Sequence, residues 1–124
     1  MGKAVEINTD VFNLTLALQS VGGDWDFLTE VAGLVQAAWP TLLADLKESM
    51  AKGDLRAVET RARLAKAAAR NVSASRTYEC AREIEAMTAK GDLPAAQEAM
   101  AKLEEEATLL RLALSTLKIP GGSA

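Results

Sequence analysis

The chain is 124 residues long, 49% hydrophobic and 25% charged, enough for one domain that buries a core without metals or disulfides. Its 17 acidic residues outnumber 14 basic ones for a net charge of −3, which argues against general nucleic-acid binding. With no histidine and a single cysteine, a zinc centre and an internal disulfide framework are excluded as well.

Alanine is abundant, aromatics make up only 4%, and glycine and proline gather between periodic segments, so every predicted element is a helix. Residues from about 9 to 20 read as a short additional helix. VGGD at 21–24 marks a turn, and Asp24 is the expected N-cap of a helix through Trp39. Pro40 predicts a break or kink, after which the helix continues to Lys52. Two near-duplicate stretches follow, MAKGDLRAVE at 50–59 and TAKGDLPAAQ at 88–97. Each reads as a helix ending in Ala-Lys, a glycine just past the end, and an aspartate capping the next helix. Turns this tight set the flanking helices antiparallel.

Leu55, Val58, Ala62, Ala65, Ala69 and Val72 step by three and four residues, one inward stripe on a helix of residues 54–72. A further helix of about 75–90 turns Ala81, Ile84 and Met87 inward. The last carries Ala96, Met100, Leu103, Ala107, Leu110, Leu114 and Leu117. The expected fold is all-α: an antiparallel four-helix bundle with an additional short N-terminal helix. It forms a single domain over residues 8–118, and the IPGGSA end supplies a flexible tail over 119–124.

No secretion signal and no apolar run near 18 residues is seen, so the expectation is a cytoplasmic protein without a membrane span. Cys80 reads as a small buried hydrophobe, and Trp25 and Trp39 as core or helix-docking residues. Glu104, Glu105 and Glu106 fan out around their helix, so they read as a solvated face and not as a paired-carboxylate site. The acceptor-like triplets at 13–15 and 71–73 lie inside helices of a non-secreted chain and read as chance.

On the helix of residues 54–72, Arg56, Glu59, Arg63, Lys66 and Arg70 keep the three-and-four spacing on the side away from the stripe. From residue 55 to 82 the chain holds seven basic residues (Arg56, Arg61, Arg63, Lys66, Arg70, Arg76, Arg82) against Glu59 and Glu79. That is +5 locally in a chain of −3, leaving −8 elsewhere. Two readings fit: a positive field that steers an acidic partner, or a solvated face balanced by carboxylates on neighbouring helices.

The same segment resembles the central helix of histidine phosphotransfer (HPt) domains, the helical bundles that pass a phosphoryl group between receiver domains. Their pattern is a histidine, a lysine three residues later, a small residue, and a leucine-glutamate pair near the end of the next helix. In this register stand Arg63, Lys66, Ala67 and the pair Ile84 and Glu85. Asn71 and Val72 fit the family's Asn-Leu step, and Gly53 and Asp54 fit the Gly-Asp that opens the helix. The resemblance spans residues 8–118.

The departures from the pattern carry the functional expectation. Arg63 stands where the phosphoacceptor histidine would be, and a protonated guanidinium has no free lone pair with which to attack phosphorus. Ala67 and Ser73 replace two glycines. The resemblance implies a pseudo-HPt protein of two-component phosphorelay signalling that docks a receiver domain without accepting phosphate. Arg56, Glu59, Arg63, Lys66, Ala67 and Arg70 are the candidate partner-binding residues, with no catalytic residue, cofactor or metal. The implied partner is a response-regulator receiver domain or a histidine kinase, not nucleic acid or membrane. Two alternatives stay open: a histidine-substituted form of a genuine phosphotransfer protein, and a helical scaffold whose likeness is architectural.

Overall fold

The computed structural model describes residues 9–117. The tail expected at 119–124 and the domain limits at 8 and 118 lie outside the described residues. Five helices follow in order: α1 (Leu14–Ser20), α2 (Trp25–Ala51), α3 (Leu55–Asn71), α4 (Ser75–Ala89) and α5 (Leu93–Leu114). Helices α2 to α5 form an antiparallel four-helix bundle in which α4 packs between α3 and α5, while α2 closes the bundle against α3 and α5. The short α1 packs on α2.

One turn chemistry joins all five helices. At the end of α2, Gly53 donates its N–H to the Met50 carbonyl and Asp54 donates to the Ser49 carbonyl. Gly22 and Gly23 close α1 with the same pair of bonds, as do Gly91 and Asp92 for α4 and Ser73 and Ala74 for α3. This arrangement satisfies carbonyls that a helix end leaves bare, and it places one residue in the left-handed region. Glycine fills that place at 22, 53 and 91, with φ of 67°, 66° and 74°.

Where the next helix begins at once, an aspartate caps it. Asp24, Asp54 and Asp92 accept from the N–H groups of Phe27, Ala57 and Ala95 at 3.0, 3.1 and 3.1 Å.

Helix α4 starts differently, because Ala74 at its N-cap has no side chain able to accept. The segment before α1 takes over that role. Arg76 donates its N–H and Ser75 its hydroxyl to the Asp10 carbonyl, at 2.8 and 3.1 Å, while Asn13 donates its N–H to the Ser73 carbonyl at 3.1 Å. Val11 and Phe12 are buried beside these bonds. The expected helix of about 9–20 is accordingly shorter. It starts only at Leu14, with Asn13 as the N-cap accepting from Leu16 at 3.0 Å.

Pro40 does not end a helix. Helix α2 runs unbroken through it for 27 residues. Pro40 lies on the exposed side, so the single backbone bond it removes is lost where water has access, and packing on either side holds the helix together.

The inward stripes of α3 and α5 are buried as the spacing predicts, apart from their ends. Leu55 opens the first turn of α3 and is 37% exposed, and Leu117 lies past the end of α5, half-buried. Ala81 and Ile84 are fully buried on α4, while Met87 is half-buried. Trp39 is wholly enclosed and Trp25 half-buried.

Two further expectations concern α2 and α5. By length and composition α2 is apolar enough to cross a membrane, with a mean hydropathy of 1.2 over 18 residues. Within the bundle its Leu28, Val35, Trp39 and Leu46 belong to the common core. The glutamates at 104–106 are not one solvated face. Glu104 pairs with Lys47 at 3.2 Å, and Glu106 turns toward α4, where Arg76 donates to it through Nε at 3.1 Å and through Nη2.

Candidate functional site

Arg56, Arg63, Ala67 and Arg70 lie exposed along α3, and Glu59 and Lys66 are half-buried beside them. The three-and-four spacing therefore does collect the six candidate residues on one face. Small residues on the opposite face explain the placement: Ala62, Ala65 and Ala69 are fully buried, which seats α3 in the bundle and turns the cations outward.

The cations at the centre of this face are already engaged. Arg63 donates from Nη2 to Glu59 at 2.8 Å and from Nε to Glu85 on α4 at 3.1 Å. Lys66 donates to the other oxygen of the same Glu85 carboxylate at 2.7 Å. Two positive and two negative charges thus cancel at the middle of the helix. Hydrogen bonding from Lys66 holds the Glu85 carboxyl below its ordinary range, with Arg63 adding to the effect and partial burial opposing it. The bonds to Glu85 and then Glu59 push the Arg63 guanidinium above its already high value, so it stays a cation throughout.

Arg70 is held by an aromatic side chain and not by a carboxylate. Its Nη2 donates to the Tyr78 hydroxyl at 2.9 Å, and the guanidinium carbon lies 5.2 Å from the ring centroid. The Lys66 ammonium approaches the same ring at 5.9 Å. Arg56 has no ion-pair partner among the described residues. Of the +5 segment, Arg61, Arg63, Lys66, Arg76 and Arg82 are each ion-paired, while Arg56 and Arg70 are not. The charge excess read along the sequence is therefore largely balanced in space by neighbouring carboxylates.

Sequence reasoning missed Tyr78, and it held Glu85 only as part of the resembled pattern, not as a partner of the cations. A signal for both was present. They are seven residues apart on α4, two helical turns along one side, and Glu85 adjoins the inward Ile84. It also missed the apolar surface beside the cations. Between α2 and α3 runs a shallow groove of about 660 Å³ lined by Phe27, Val31, Leu34, Ala38 and Ala68, with Arg70 as its charged lining residue. Phe27 and Leu34 are 50% and 68% exposed, and Leu64 on α3 is 45% exposed. From residue 31 to 44, α2 has no charged residue at all, and that absence is legible in the sequence.

Cys80 is half-buried on α4 and not enclosed in the core. Burial and then the charges of Glu106 and Glu83 push its thiol up, away from the reactive thiolate.

Helix order, antiparallel packing and the outward central helix define an HPt-like bundle. This chain is similar in structure to the HPt domain of the Hpt sensor hybrid histidine kinase from Shewanella. The two share a TM-score of 0.72 and 16% sequence identity, over 90% of this chain and 100% of that one. At that identity the likeness concerns the fold. No protein-family model matches the chain, and no curated protein does.

Proposed function

We propose that this chain is a pseudo-HPt protein of two-component phosphorelay signalling, which docks a response-regulator receiver domain without accepting phosphate. The observation that carries the reading is the pairing of Arg63 with Lys66 at the exposed middle of α3, in the register of the HPt pattern, on a bundle of HPt-like fold. The chain contains no histidine, so no neighbouring imidazole replaces the missing nucleophile. On this reading the protein is a binding module, not an enzyme, and it works in the cytoplasm as a single domain over residues 8–118.

The surface chemistry supports a protein partner. An apolar groove lined by Phe27, Val31 and Leu34 offers burial, and Arg70, which lines it too, adds positive charge. A receiver's phosphorylation pocket, which the resemblance implies is built from carboxylates, matches that charge. Arg63 and Lys66 then face the pocket as fixed cations, and Ala67 keeps the surface between Arg63 and Arg70 low.

Three variants test the reading together. Charge reversal at Lys66 or Arg70 weakens a saturable, salt-sensitive affinity for a receiver domain, and Arg63→His gains phosphoryl uptake from a phosphorylated receiver. An affinity unmoved by either reversal removes the docking face. Silence of the histidine variant shows that the missing nucleophile is not the only obstacle and moves the weight to an architectural likeness.

A further inference from the structure

The centre of the α3 face has a feature that simple cation docking does not anticipate: it already holds an anion of its own. One carboxylate, that of Glu85, spans two cations. Its Oε1 accepts from Lys66 at 2.7 Å and its Oε2 accepts from the Arg63 Nε at 3.1 Å. Both oxygens are used, and both groups they hold stand on α3, while Glu85 itself comes from α4. The carboxylate therefore lies between the cations as an incoming acidic side chain would.

Glu85 is firmly placed there. It is 20% exposed at its side chain, and Lys66 is 23% exposed, so water screens this pair less than the Arg63 to Glu59 pair, whose side chains are 59% and 40% exposed. Ile84, its chain neighbour, is fully buried and fixes that turn of α4. The Lys66 hydrogen bond, with Arg63 adding to it, holds the Glu85 carboxyl below its ordinary range against the opposing effect of burial.

Resting on the receiver-docking reading, we propose that Glu85 is a resident competitor on the docking face. It occupies the seat between Arg63 and Lys66 that a partner's carboxylate would take, and it sets partner affinity by having to give way. An acidic partner has to displace the Glu85 carboxylate to reach these cations, so Arg63 and Lys66 add little net affinity. The gain at the centre comes from the uncompensated Arg70 and from the apolar groove. Discrimination follows from the same exchange: a partner presenting several carboxylates or a phosphoryl dianion displaces Glu85, and one presenting a lone carboxylate does not.

The test uses the whole chain and a panel of isolated receiver domains, titrated calorimetrically at low ionic strength. Glu85→Gln keeps the shape of the side chain and removes its charge. The expected result is binding about three- to fivefold tighter than with the native chain, the scale of one partly exposed ion pair. Glu79→Gln changes net charge equally but touches only Arg82, and it leaves the affinity where it was. Equal tightening by both variants, or no tightening by Glu85→Gln in a receiver that the native chain binds, overturns the competitor role and leaves docking intact. If no receiver binds the native chain or either variant, docking itself fails, and the competitor role with it. Circular dichroism confirms that each variant keeps its helices.

Discussion

Ser73 and Gly53 hold the same place in the same turn, with φ of 54° and 66°. Each donates its N–H to a carbonyl three residues back, Arg70 for one and Met50 for the other. A left-handed residue with a Cβ carries a conformational penalty that glycine escapes. Ser73→Gly is therefore expected to stabilise the bundle by about 0.5–1 kcal/mol, less than the full penalty because glycine also gains freedom in the unfolded chain. Urea denaturation checks this through a higher midpoint at unchanged slope.

Phe12 lies between Asp10 and Asn13, whose backbone bonds join the segment before α1 to Arg76 and Ser73, and it is 1% exposed. Phe12→Ala is expected to destabilise the fold by about 3–5 kcal/mol, the range for a large buried aromatic. The loss should concentrate near the start of α4, where the Arg76 N–H and the Ser75 hydroxyl donate to the Asp10 carbonyl. Hydrogen exchange reads it as faster exchange at Arg76 in the variant than at residues in the middle of α5.

Much of this fold could be read from the sequence because its turns repeat one chemistry. The two KGD stretches and VGGD account for three of the four turns between the described helices and for the three aspartate caps. The fourth turn, at Ser73, carries no glycine, so the sequence showed the break between residues 72 and 75 but not the left-handed turn that makes it. Capping of α4 by Asp10 was hidden for a different reason: a backbone carbonyl does the work, and any residue supplies one. Of the break or kink expected at Pro40 the break does not occur, because exposure lowers the penalty of a missing N–H, and exposure is a tertiary property. At the candidate site, spacing alone collected the cations of α3. It gave no sign that Glu85, 22 residues beyond Arg63, would neutralise them, since that pairing depends on how α4 lies on α3.

Acid should expose the Glu85 contribution. Its carboxyl titrates lower in the folded chain than in the unfolded one, chiefly through the Lys66 hydrogen bond. Stability from this group is thus fully present above the ordinary glutamate value and is lost as pH falls through the lowered folded value. Glu85→Gln removes that dependence. Thermal unfolding followed between about pH 5 and pH 3 should show the native chain losing more Tm than the variant. At neutral pH the variant should be less stable by about 1 kcal/mol or less.

Leu34 is 68% exposed in the uncharged stretch of α2, so the folded state gains little from it. Leu34→Asp is expected to change folding stability by less than about 0.5 kcal/mol. On the docking reading the same variant weakens receiver binding at least tenfold, since an unpaired carboxylate then enters a buried apolar contact. Comparing the urea midpoint with the calorimetric affinity separates the two effects. A matched loss in both would mark Leu34 as a folding residue.

On the proposed function the chain binds a receiver domain and takes no phosphate from it. The direct measurement is to mix the chain with receiver domains carrying labelled phosphoryl groups, separate the species by gel filtration, and ask where protein and label elute. The account predicts co-elution with a receiver that weakens as salt rises, with the label remaining on the receiver. Label on this chain would contradict the loss of phosphotransfer, and failure to co-elute with any receiver at low salt would contradict docking.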